Sequence, residues 1–135
     1  MIKPNFSAPL TLGDLIKQLE PFPLYTPVFV CDFNYTVGDL VSYRAHYQYL
    51  AIDPKPISSF KEASTVEFCL KIFREAEEKI FVGYKGGEFL MTRETPVFIS
   101  PYASFIQIYT LRVERFDWLL SSEAVVIQGV EFKDF

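Results

Sequence analysis

Thr26-Pro27-Val28-Phe29 recurs as Thr95-Pro96-Val97-Phe98, and each copy follows a run with the spacing of a capped, amphipathic helix. The repeat carries no chemistry, but most of the elements can be assigned by reading outward from it. Upstream of the first copy, Thr11-Leu12-Gly13-Asp14 has the form of a capping box. Thr11 would accept from the amide near Asp14, with the carboxylate at the positive end of the helix. Leu12, Leu15, Ile16 and Leu19 then fall at i, i+3, i+4 and i+7 until Pro21 and Pro23 end the helix. Val28 to Phe33 reads as an interior strand, since Pro27-Val28-Phe29-Val30-Cys31 is almost continuously apolar. Pro27 then stands at its first position, where no ladder donor is required.

The second half repeats the plan. Ser64 and Thr65 precede Glu67 as another capping box, and Val66, Cys69, Leu70 and Phe73 share the helical spacing, predicting a helix from Thr65 to Glu78. Between it and the second copy of the repeat lies an insertion, Lys79 to Thr92, which reads as a β-hairpin turning tightly at Gly86-Gly87. Phe105 to Glu114 predicts a long strand, Phe116 to Leu120 a helical turn, and Ala124 to Phe132 a last strand. Ala45 to Ile52 is expected to be a strand ended by Asp53-Pro54. The first ten residues and Asp53 to Ser59 are expected to be connectors. Together these predict one α+β domain over residues 1–135, with a mixed or mainly antiparallel sheet of about six strands and two amphipathic helices on one face.

The 135 residues suffice for a single core. Fourteen Phe and eight Tyr are more rings than so small a domain can hide, so some are expected in a groove or at a subunit contact, and a homodimer is among the expected assemblies. Thirteen Lys and Arg against seventeen Asp and Glu give a net charge of −4, which opposes binding to a nucleic-acid duplex. No apolar run approaches the roughly 18 residues of a membrane span. The N-terminus has no hydrophobic leader-like stretch, so no membrane partner and a cytoplasmic location are expected. Cys31 and Cys69 lie in apolar runs and read as reduced core residues.

His46 is the one histidine, and with two separated cysteines it does not make a tetrahedral metal site, so no metal or cofactor is expected. Neither cysteine sits in a segment resembling an activated nucleophile. Asp32, Asp39 and Asp53 are the remaining route to catalysis, through carboxylate-bound metal, although ordinary turns and caps account for them equally. Gly83-Tyr84-Lys85-Gly86-Gly87 lacks the spacing of a phosphate loop. The residues best suited to binding are Tyr43, Arg44 and Tyr47, with Tyr84, Lys85 and Arg93. Tyrosine rings stack on bases, and guanidinium forks pair with phosphates or carboxylates, a composition that suits a nucleotide.

Thr11 to Ile16, Ser42-Tyr43-Arg44 with Tyr47 and Leu50-Ala51, Gly83 to Phe89, and Thr95-Pro96-Val97 occur in an order that resembles small uncharacterised proteins of tailed bacteriophages and their prophages. The likeness covers roughly Thr11 to Ile99 and brings no catalytic residues with it. It implies a phage origin and hence the host cytoplasm. The function expected is that of a non-catalytic phage accessory protein. It would bind a small nucleotide-like ligand or a host protein, sequestering a nucleotide-derived immune signal or inhibiting host defence. The alternatives are a small carboxylate-dependent metal or nucleotide hydrolase, or a purely structural interaction protein. If the two Thr-Pro-Val-Phe strands are neighbours in one sheet, the aromatic and cationic segments converge at one end of it.

Overall fold

Helix α1 runs over Leu12–Leu19 and is closed by the expected capping box: the Thr11 hydroxyl accepts from the Asp14 amide at 3.2 Å, and the Asp14 carboxylate accepts from the Thr11 amide at 3.1 Å. Helix α2 runs over Val66–Ala76 and is capped by the Thr65 hydroxyl, which accepts from the Phe68 amide at 3.3 Å. Glu67 is the second helical residue, one position short of where a reciprocal capping arm would stand. The stripes Leu12, Leu15, Ile16, Leu19 and Val66, Cys69, Leu70, Phe73 are buried in one core. Burial of each large apolar side chain stabilises by roughly 1.5–3 kcal/mol, so packing outweighs helix propensity here.

The computed structural model describes residues 10–43, 48–83, 85–100, 108–118 and 122–131, with side chains described at 10–43, 48–83, 85–100 and 123–128. Its strands are β1 Pro27–Val30, β2 Asp32–Ser42, β3 Leu50–Pro56, β4 Ser64–Thr65, β5 Ile80–Val82, β6 Glu88–Leu90, β7 Val97–Ile99, β8 Ile108–Trp118 and β9 Ser122–Glu131. The main sheet has the order β7-β3-β2-β1-β9-β8, with β4 beside β1, while β5 and β6 form a separate two-stranded sheet. It is mixed: β1 is parallel to β9 and β3 to β7, and the other pairs are antiparallel. The fold is α+β, as the sequence predicts. In a flat sheet the end strands β7 and β8 would stand about 24 Å apart at ~4.8 Å per strand. Instead their Cα atoms come within 8 Å, so the sheet curls round on itself. Val28, Val30, Val125 and Ile127 share the core with both helices. Phe29, Ala124 and Val126, which alternate with them along the strands, form a cluster on the opposite face.

The repeated tetrapeptides sit where the two halves of the chain hold each other. The carbonyls of Thr26 and Leu24 accept from the Val66 and Glu67 amides, the first two of α2, at 2.9 and 3.0 Å. Those of Thr95 and Arg93 accept from the Leu12 and Gly13 amides, the first two of α1, at 2.9 and 2.8 Å. Each helix therefore has two of its otherwise unpaired N-terminal donors satisfied by the segment that follows the other helix. The exchange continues into the sheet. Pro27 pairs with Thr65 and Pro96 with Thr11, and the residues two positions beyond the copies, Cys31 and Ser100, donate to Ile127 and Ile52 at 2.9 and 2.8 Å. Pro27 begins β1, as expected, and Pro96 immediately precedes β7.

Several expectations are corrected. The two Thr-Pro-Val-Phe strands are not neighbours, because β2 and β3 lie between β1 and β7. The first strand stops at Val30: Cys31 has φ 68°, a left-handed residue that reverses the chain, and Phe33 belongs to β2. Cys31 is consequently exposed instead of buried, while Cys69 is in the core. Gln48 and Tyr49 form a turn, and β3 continues through Asp53 to Pro56 where a connector is expected. β7 covers β3 only along Leu50–Ile52, so the rest of that edge tolerates prolines without ladder donors. Phe116 to Trp118 extend β8 instead of turning as a helix. Expectations at 1–9, 44–47, 105–107, 119–120 and 132 lie outside the described residues. Among the described residues no helix is long and apolar enough to cross a membrane.

Candidate functional site: an inserted hairpin with an apolar outer face

Among the described residues, the β5–β6 hairpin between α2 and β7 has no counterpart between α1 and β1. Its base is set by a turn at the end of α2, where Glu78 takes φ 63°. The Glu78 amide donates to the Met91 carbonyl at 2.7 Å, and the Met91 amide to that of Lys79 at 2.9 Å. Met91 is fully buried and anchors the return strand. Glu77 and Arg93, on the two sides of the base, pair at 3.3 Å; so exposed an ion pair adds at most about 1 kcal/mol.

Ile80 faces Leu90, Phe81 faces Phe89 and Val82 faces Glu88. Successive strand residues point to opposite sides, so the pairs sort into two faces. Phe81 and Phe89 pack against the core, and the Lys79 ammonium lies 5.1 Å from the centre of the Phe81 ring. The other face carries Ile80, Val82 and Leu90, exposed by 57%, 65% and 61%. Glu88 lies beside them, opposite Val82. The tip is a five-residue loop, closed by the Gly83 amide on the Gly87 carbonyl at 2.7 Å and the Gly86 amide on that of Gly83 at 2.8 Å. This is wider than the two-residue primed turn expected, and of its glycines only Gly86, at φ 96°, is left-handed.

The residues expected to bind a ligand have different surroundings. Tyr43, at the end of β2, is buried with its ring 5.1 Å from that of Phe98. Arg93 pairs with Glu77, and its backbone and Cβ crowd Gly13 of α1. Lys85 is exposed at the hairpin tip. Arg44, Tyr47, Tyr84 and His46 lie outside the described residues. Of the aspartates, Asp32 accepts from the Asn34 amide at 2.8 Å in a turn, and Asp39 from the Leu40 amide at 2.8 Å. Asp39 and Asp53 face each other across β2 and β3. Asp53 is exposed, but partial desolvation by its neighbours, with the charge of Asp39 beside it, raises its pKa. Among the described residues no three potential metal ligands gather. Burial pushes the Cys69 thiol up to about 12, so it stays protonated and unreactive near neutral pH.

The sequence reading did not single out Ile80, Val82 and Leu90. Their signal is that Ile80-Phe81-Val82 and Glu88-Phe89-Leu90 supply apolar residues to both faces of a hairpin that has only one face to bury. No family model, curated protein or solved structure matches the chain.

Proposed function

We propose that the protein acts without catalysis, by binding a partner protein through the outer face of the inserted hairpin. The supporting observation is the exposure of Ile80, Val82 and Leu90 on an element that has no counterpart between α1 and β1. Contiguous exposed aliphatic side chains rimmed by charge are the pattern of a contact surface, and leaving them in water lowers solubility with no gain in stability. Glu88 on the same face and Lys85 at the hairpin tip are the exposed charges beside them. The likeness to small phage proteins supports a host protein as the partner.

A photo-crosslinking residue at Val82, with the same residue at exposed Lys17 as control, tests the reading in cells that express the protein. The expected result is a discrete adduct with a second protein from position 82 alone. No adduct at 82, or the same adducts from both positions, would refute it. An adduct of twice the chain mass would make the face a homodimer contact instead.

A further inference from the structure

We infer that the hairpin captures an extended peptide segment of its partner by adding it as a third strand along β6. This rests on the partner-binding reading above. The register fixes which backbone groups are available. Lys79 and Met91 are linked by a ladder bond, as are Gly83 and Gly87, so the narrow hydrogen-bonded pairs fall at 79–91, 81–89 and 83–87. Glu88 and Leu90 belong to the alternate pairs, and both turn their N–H and C=O groups away from β5. β5 lies on the side toward β2, which leaves β6 as the outer edge. Among the described residues no strand pairs with that edge.

The size of the apolar face decides between occupants. Three half-exposed aliphatic side chains present a few hundred Å². A stable protein dimer covers about 800 Å² on each partner, so a second copy of the chain docked on this face alone is too small a contact. An added strand needs less apolar area, because main-chain hydrogen bonds to Glu88 and Leu90 supply affinity and alternate side chains supply selectivity. The segment that fits places an apolar residue beside Leu90 and, two positions along, a Lys or Arg beside the Glu88 carboxylate, which is exposed on the same face.

The test is a selection of random twelve-residue displayed peptides against the full-length protein, with the best binder then synthesised and its affinity measured. Glu88→Pro removes one outward amide without touching the 81–89 pair, and Leu90→Lys alters the apolar face; melting temperature and far-UV circular dichroism check that each variant folds. The expected binder carries an apolar residue two positions from a basic one and loses at least tenfold in affinity to each variant. N-methylation of its edge-facing amides should abolish binding, whereas methylation of the alternate amides should not, a readout independent of how the protein variants fold. A binder sensitive to Leu90→Lys but indifferent to Glu88→Pro and to N-methylation would overturn strand addition and leave the hairpin as the partner surface. A binder indifferent to both variants, or no binder at all, would overturn strand addition and count against the hairpin surface itself.

Discussion

Thr26→Val should stabilise the protein, whereas Thr95→Val, the same change in the other copy of the repeat, should destabilise it. The two threonines sit at the same point of equivalent turns: the Thr26 amide donates to the Pro23 carbonyl at 3.0 Å, and the Thr95 amide to that of Thr92 at 3.1 Å. Both are buried. The Thr95 hydroxyl accepts from the Thr92 amide at 2.8 Å. In the first copy that position is Pro23, which has no N–H to give, and the Thr26 hydroxyl is left without a partner at 1% exposure. A buried hydroxyl without a hydrogen bond costs about 1–3 kcal/mol, so replacing it with the isosteric methyl should recover about 1 kcal/mol. Thr95→Val loses a made bond and strands the Thr92 amide, at a cost of about 1–2 kcal/mol. Urea denaturation at constant slope measures both. Pro23→Ala restores the missing donor, and in that background Thr26→Val should change sign and become destabilising. Equal destabilisation by Thr26→Val and Thr95→Val, or no coupling between Pro23 and Thr26 in the double-mutant cycle, would refute the reasoning.

Gly38→Ala should destabilise by about 1–3 kcal/mol in the same assay, because a Cβ there would stand 2.9 Å from the Asp53 carbonyl oxygen and 3.0 Å from the Lys55 Cβ, at the irregularity between Val37 and Asp39. Asp53→Asn should raise the melting temperature at pH 7. The folded pKa of Asp53 is raised, so the folded chain holds this proton more tightly than the unfolded one, and stability falls as pH rises through the folded value. The advantage of the variant should therefore shrink below about pH 4, and a difference that grows in acid would contradict the assignment. A thiol-reactive dye should label Cys31 rapidly and Cys69 only in denaturant, because Cys31 is exposed and the Cys69 thiol is buried and protonated. Mass spectrometry of the labelled peptides distinguishes them.

The legible parts of the fold were those governed by neighbours in the chain. The Thr11 capping box, the two buried stripes and the proline that begins β1 each need only residues within about two helical turns, so spacing reveals them. β2 was the largest omission. Gly38, Asp39 and Asn34 are poor strand formers, and what holds them extended is pairing with β1 on one side and β3 on the other. The cysteines show the same limit: Cys31 and Cys69 both follow apolar residues, and a single left-handed φ puts one in water.

Local chemistry thus determined that there are two capped helices, that strands follow the repeated Thr-Pro-Val-Phe, and that a hairpin interrupts the second half. Tertiary structure decided what the repeat contacts: each copy's threonine, with the residue two before it, supplies a carbonyl to the N-terminus of the helix in the other half, a contact between residues some forty to eighty positions apart that leaves no local periodicity. It also decided the candidate site. Ile80 and Phe81 are both apolar in sequence, and only the docking of the hairpin on the core partly covers one and leaves the other in water. Burial is a property of what packs against a residue, and that is set by the path of the whole chain.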